Sequence, residues 1–192
     1  MRLFVAINLP DEVRRAAFDA GAPLRELVPR ASWVPEARLH LTAKFLGERP
    51  DADVAPLAET LLAVAAGHRA MTLRVAGASA FPNLRRPRVV WLGVEPDPRL
   101  ELLHHDVEEA LAGLGVELEG KPFRPHLTLG RFREPPAPDQ LRAFAKAARG
   151  VRFERESLVE SLDLMQSVIG GAGGPRYELL AAAPLRPASS HP

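Results

Sequence analysis

The apolar and polar positions of this chain fall into short blocks that read as strands and helices in turn. Residues 2–9 are apolar and suit a first strand. Pro10-Asp11-Glu12 then places a proline and two acids where a helix N-terminus favours them. Val13, Ala16, Ala17, Ala20, Leu24 and Leu27 continue as a helical stripe, disturbed by Gly21 and Pro23. Trp33-Val34-Pro35 predicts a turn into a second apolar strand, closed by Gly47 and Pro50. The pattern next predicts a helix over roughly 51–66, an alternating strand over 71–78 and a buried strand over 88–94. Pro96-Asp97-Pro98 repeats the helix-start chemistry, and a helix over about 98–113 carries Leu100, Leu103, Val107, Leu111 and Leu114 on one side. After Pro122-Phe123-Arg124-Pro125 comes another short apolar strand, then a stiff Pro135-Pro136-Ala137-Pro138 linker and an Ala-rich helix over 139–149. Two strands near 151–164 and 176–183 complete the elements, and residues 185–192 form a Pro/Ser-rich tail expected to be flexible.

Helices and consecutive strands mix, which predicts an α+β fold with mainly antiparallel sheet and not a doubly wound parallel one. At 192 residues the chain suits one domain over 1–184, or one domain built there from two similar halves. No apolar run reaches membrane-spanning length, and the N-terminus reads as a strand and not a signal peptide, so a cytoplasmic monomer is the expectation. The absence of cysteine excludes disulfides, thiolate metal sites and a cysteine nucleophile together. All but three of the 25 basic residues are Arg. Arginine suits phosphate contacts, but a biased genome or a heat-adapted host is the stronger explanation of the excess. Gly170-Gly171-Ala172-Gly173-Gly174 precedes a strand and not a helix, so it reads as a loop and not a phosphate cradle.

Chemistry enters with a repeat. His40-Leu41-Thr42-Ala43 lies in one apolar strand and His126-Leu127-Thr128-Leu129 in another. Alternate residues of a strand share a face, so each histidine points with its threonine. One His-x-Thr strand is most simply structural; two at half-chain spacing are better explained as one site. Facing each other, they offer two imidazoles and two hydroxyls. That set suits a phosphodiester: a neutral histidine takes a proton from water, an imidazolium protonates the leaving oxygen, and hydroxyls donate to the non-bridging oxygens. The strands supply no third metal ligand, so no metal and no cofactor are expected. Strict alternation puts Lys44 on the His40 face and Arg131 on the face away from His126. His104 and His105 read as surface or interface residues of a helix, and His68 and His191 as inert. Trp33 and Trp91 read as core or turn anchors, and Arg85-Arg86-Pro87-Arg88 as a solvated loop or a place for an RNA backbone.

With these motifs stand Arg2-Leu3-Phe4-Val5-Ala6-Ile7, Trp33, Lys44-Phe45-Leu46-Gly47, Phe81-Pro82, Arg88-Val89-Val90-Trp91-Leu92-Gly93-Val94, Phe123-Arg124-Pro125, Gly130-Arg131 and Met165-Gln166-Ser167 with Gly174 and Tyr177. Together they resemble the 2H phosphoesterase superfamily, specifically its RNA 2′,3′-cyclic phosphodiesterases, once called 2′-5′ RNA ligases. The resemblance implies a bilobal fold and metal-independent hydrolysis of an RNA 2′,3′-cyclic phosphate to a 2′-phosphate, with reversible 2′-5′ ligation in some members. It implies His40 as proton donor, His126 as proton acceptor, Thr42, Thr128 and Arg131 as phosphate ligands, and Phe45 as an aromatic that stacks on the terminal base. The implied partner is RNA with a cyclic phosphate end, tRNA fragments among the candidates. Two other readings stay open: a phosphodiesterase for a small cyclic nucleotide such as an ADP-ribose cyclic phosphate, and a non-catalytic module that binds RNA ends.

Overall fold

A computed structural model of the chain describes residues 1–170 and 174–188. The first half runs β1 (Arg2–Asn8), α1 (Asp11–Ala20), α2 (Ala22–Leu27), β2 (Ser32–Trp33), β3 (His40–Glu48) and α3 (Val54–Gly67). Then follow β4 (Met71–Phe81), β5 (Val89–Val94), α4 (Pro98–Ala112), β6 (His126–Arg131), α5 (Pro138–Gly150), β7 (Glu154–Val159), β8 (Ser161–Val168) and β9 (Arg176–Pro184). The strands form one antiparallel sheet in the order β7-β4-β5-β6-β3-β1-β8-β9, with β2 added beside β6. The α+β class is therefore as the sequence predicts.

Each lobe has four strands with a His-x-Thr strand innermost, but the lobes are not the two halves of the sequence. Each half follows the plan strand, helix, motif strand, helix, strand, and the final strand is exchanged. β4 of the first half pairs with β5 of the second, while β8 of the second half pairs with β1 of the first. The helices cross in the same way. α2 and α5 pack together with α5 against β4, and α3 and α4 pack together with α3 against β8 and β9. Exchange of equivalent elements makes each lobe depend on both halves of the chain.

Three local features differ from expectation. Gly21 and Pro23 do more than disturb the first helix: the chain turns at Gly21 and restarts with Pro23 in the first turn of α2. The single strand expected near 151–164 is two, β7 at one edge of the sheet and β8 next to the opposite edge strand β9, on either side of Glu160. Of the expected tail, Leu185 is buried and donates its N–H to Glu160, and Arg186 exchanges backbone hydrogen bonds with His68 and Ala70. Residues 189–192, His191 among them, lie outside the described residues, as do residues 171–173 of the glycine loop.

Lys44 is the clearest departure. Its side chain is only 2% exposed and points into the core, away from His40. Its ammonium pairs with Glu108 of α4 at 2.6 Å and donates to the Glu117 carbonyl at 2.7 Å. Glu108 also accepts from the Glu119 N–H at 2.9 Å. The pair thus ties the first motif strand to α4 and to the segment that leads into the second motif. Removing one partner leaves a buried charge alone, which costs more than the pair contributes. Lys44→Ala should therefore destabilise the protein by about 3 kcal/mol or more in urea denaturation. Lys44→Met combined with Glu108→Leu should recover most of that loss; a double variant as unstable as Lys44→Ala would refute the account.

Candidate active site

The two motif strands meet at one residue pair, Leu41 against Leu127, the central residue of each motif. Both leucines are essentially fully buried, each contributing about 1.5–3 kcal/mol of burial, so they pin the pseudo-twofold axis between them. Antiparallel pairing there turns His40 toward Thr128 and Thr42 toward His126. All four side chains consequently lie on one face of the sheet.

Just beyond each threonine the strand bulges. Val5 pairs with Lys44 and Ala6 with Thr42, which leaves Ala43 unpaired. Val90 pairs with Gly130 and Trp91 with Thr128, which leaves Leu129 unpaired. An extra residue reverses the alternation that follows it. Lys44 and Gly130 therefore turn inward, and Phe45 and Arg131 turn to the face of the histidines. This corrects both side assignments drawn from strict alternation. The second bulge is braced by Trp33, whose indole donates to the Val28 carbonyl at 2.9 Å. A Cβ on residue 130 would lie 2.6 Å from the Trp33 ring, so only glycine lets the ring close on the strand. Ser32 of β2 pairs with Arg131 itself, fixing the end that carries the guanidinium.

Matching backbone contacts orient the imidazoles. His40 Nδ1 donates to the Arg38 carbonyl at 2.8 Å, and His126 Nδ1 to the Arg124 carbonyl at 2.6 Å. A carbonyl can only accept, so Nδ1 carries a proton in both rings and Nε2 is the nitrogen that can gain or lose one. His40 Nε2 lies 3.0 Å from Thr42 Oγ1. Two aromatic rings flank each imidazole: Phe4 and Tyr177 lie 5.0 and 5.3 Å from His40, and Phe81 and Trp91 lie 5.0 and 6.3 Å from His126. Burial among them pushes both histidines below the usual pKa, and the positive charge of Arg131 adds to the shift. The carbonyl bonds to Nδ1 oppose it but do not cancel it.

His40, Thr42, Thr128, Phe45 and Arg131 line one cleft of about 600 Å³. His126 lines a second recess, of about 300 Å³, together with Phe81 and Trp91. The first cleft also takes in Arg2, Phe4, Arg38 and Tyr177, to which the sequence reading assigns no role in the site. Arg38 donates to the Pro175 carbonyl at 2.6 Å, joining the start of β3 to the approach to β9. A usable signal was present, since Arg38 and Arg124 each stand two residues before a motif histidine. The remaining histidines lie elsewhere. His104 is not on the helix surface but stacks on Phe123 at 3.8 Å, with Glu108 3.7 Å away, and His68 is buried against Asp106 at 2.8 Å. His105 is exposed. Among the described residues no three His, Asp or Glu side chains converge as a metal-binding group, and no helix is long and apolar enough to cross a membrane.

This geometry has close relatives. The family model of the 2′-5′ RNA ligase superfamily matches residues 10–168. An RNA 2′,3′-cyclic phosphodiesterase of Thermus thermophilus is 39% identical, over 97% of this chain and 91% of that protein. One of Geobacillus stearothermophilus is 34% identical, over 95% of this chain, which spans only 56% of that longer protein. Among solved structures, the Thermus thermophilus protein TT0787 superposes with a TM-score of 0.78 at 33% identity, covering 98% of this chain and all of that one. E. coli LigT complexed with 3′-AMP superposes with a TM-score of 0.72 at 28% identity, covering 96% and 97%. With two His-x-Thr strands paired at their centres and a family match over most of its length, the chain belongs to the 2′-5′ RNA ligase superfamily, the 2H phosphoesterases.

Proposed function

We infer that this protein hydrolyses the 2′,3′-cyclic phosphate at the end of an RNA to a 2′-phosphate. The observation that carries the reading is the pair of imidazoles on one sheet face, each with Nδ1 held by a backbone carbonyl and Nε2 left for proton transfer. Its relatives from Thermus and Geobacillus bear the name of that activity.

The phosphate lies between the two motifs. Thr42 and Thr128 donate to its non-bridging oxygens, and Arg131 offsets the charge that develops there. Water attacks phosphorus while giving its proton to His126 Nε2. The P–O3′ bond breaks on the opposite side, and His40 Nε2–H protonates O3′. The cleft supports this direction. O3′ stays attached to the nucleoside, so the acid belongs beside the larger cleft, where His40 stands with Phe45 and Tyr177. Phe45 is 58% exposed on the site face, a ring free to stack on the terminal base.

His40→Ala and His126→Ala should each remove nearly all turnover of a cyclic-phosphate-ended oligoribonucleotide, and the double variant should be scarcely worse, because both act in one transition state. Thr42→Ala or Thr128→Ala should cost about a hundredfold in kcat. The assay is run in EDTA with the product identified; activity lost to EDTA, or a 3′-phosphate product, would sink the mechanism.

The pH dependence has a definite sign. The active free enzyme needs one neutral and one protonated histidine, and both pKa values are lowered. The bell of kcat/KM should therefore peak below the ordinary histidine pKa of about 6.5. Bound anionic phosphate favours the imidazolium, so the alkaline limb of kcat should lie at higher pH than that of kcat/KM. Arg131→Ala removes a charge that lowers both values, so it should slow the reaction and move the alkaline limb of kcat/KM upward. A free-enzyme optimum above neutrality would contradict the assignment.

A further inference from the structure

The two carbonyls that orient the imidazoles are supported in different ways. Arg38 closes a 3₁₀ turn over Glu36–Arg38 that carries its own backbone bonds. There the Arg38 N–H donates to the Pro35 carbonyl at 2.9 Å and the Leu39 N–H to the Glu36 carbonyl at 3.0 Å. Arg124 has no such turn beneath it, since residues 116–125 form neither helix nor strand. This segment is fastened to α4 and to the first motif strand instead. Lys44 donates to the Glu117 carbonyl at 2.7 Å, and Glu108 accepts from the Glu119 N–H at 2.9 Å. One turn before Glu108, His104 lies flat on Phe123, with ring centroids 3.8 Å apart and planes inclined by 9°.

An imidazole is a costly support at this position. The His104 side chain is 12% exposed, and its Nε2 is buried with no hydrogen-bond partner among the described residues. An unpaired buried nitrogen lowers stability, so an apolar residue would suit the core better. Burial lowers the pKa of the ring; the carboxylates of Glu108 and Glu119 oppose that shift, while Lys44 and His105 add to it. What distinguishes the position is its neighbours. Nε2 lies 3.7 Å from the Glu108 carboxylate, and the face of the ring meets Phe123. Phe123 in turn lines the recess with Arg124, Pro125 and His126. We propose that His104 is a positioning residue for the base: stacked on Phe123, it holds the Arg124 carbonyl against His126 Nδ1 and so keeps Nε2 free to take the proton. This rests on the phosphodiesterase reading and on His126 as the base.

The Arg124 carbonyl, 2.6 Å from Nδ1, acts on His126 in two ways. It keeps the proton of the neutral ring on Nδ1, which leaves the lone pair on Nε2. It also raises the pKa of His126 against burial and the charge of Arg131, which lower it. Loss of the stack therefore has a signed effect: the neutral ring divides between its tautomers, and its pKa falls further. His40 keeps its own carbonyl on the 3₁₀ turn and responds only through the charge of His126. Asp97 and Glu101, which line the recess with His126, are untouched by the change, and Asp97 stays paired with Arg99.

The test is NMR of the protein with ¹⁵N-labelled histidine, which reads the tautomer and titration of each ring without substrate, beside kinetics. In His104→Ala, His126 should leave the single Nδ1–H tautomer and titrate at lower pH, while His40 keeps its tautomer. With a cyclic-phosphate-ended oligoribonucleotide, kcat should fall about tenfold or more and KM should stay within about twofold. The acid limb of kcat/KM should move to lower pH. Phe123→Leu, which removes the stack from the other side, should act in the same way. His104→Phe, which keeps a flat ring on Phe123, should restore the tautomer and the limb. Leu103→Ala, a cavity in the buried face of α4, should lower stability in urea without either change. An unchanged His126 tautomer in both His104→Ala and Phe123→Leu, no rescue by His104→Phe, or the same shifts in Leu103→Ala would overturn the proposal. A protein whose rings behave as expected yet hydrolyses no cyclic phosphate would overturn the phosphodiesterase reading and leave the support of His126 standing.

Discussion

One antiparallel contact, Leu41 against Leu127, brings the two motif strands together, and the arrangement of the cleft follows from it. The two strands share only this pair at the centre of the sheet, so a one-residue slip would turn every polar group of the site into the core. Full burial of both leucines makes that slip costly. The exchanged outer strands add a second constraint, because neither lobe can form without strands from both halves of the chain. A small active site is thus held in register by an extensive sheet.

The imidazoles are placed where charge is disfavoured. Aromatic walls and a nearby guanidinium lower both pKa values, while the carbonyl at the second residue before each histidine fixes the tautomer. A negative charge brought beside either ring would favour its protonated form. The symmetry of the two environments is close, but the spaces beside them differ. The His40 side opens to a larger cleft with Phe45 and Tyr177, and the His126 side to a smaller recess with Phe81 and Trp91. That difference in volume gives the two histidines distinct neighbours.

Lys44 and Glu108 show how the site is supported from behind. The same bulge that presents Phe45 to solvent directs Lys44 inward, where it holds α4 and the segment leading to the second motif. Stability and site geometry therefore share one backbone irregularity in the first motif. In the second motif the equivalent bulge presents Arg131 and turns Gly130 toward Trp33.

Taken alone, the sequence determined the elements, the α+β class and the pairing of His40 and Thr42 with His126 and Thr128, because periodicity and a repeated motif are local properties. It also carried the family, since the motifs and their flanking residues are words in the chain. Tertiary structure decided the rest. Strict alternation sent Lys44 to the wrong face and Arg131 away from the site, because a bulge is set by the pairing of two strands and leaves no mark in the residues of one. Arg38 and Tyr177 came to the cleft from positions 139 residues apart (177 − 38 = 139), and the strand exchange between halves was equally invisible. Those features arise from which strand lies beside which, a choice made by packing the whole chain and not by any one stretch of it.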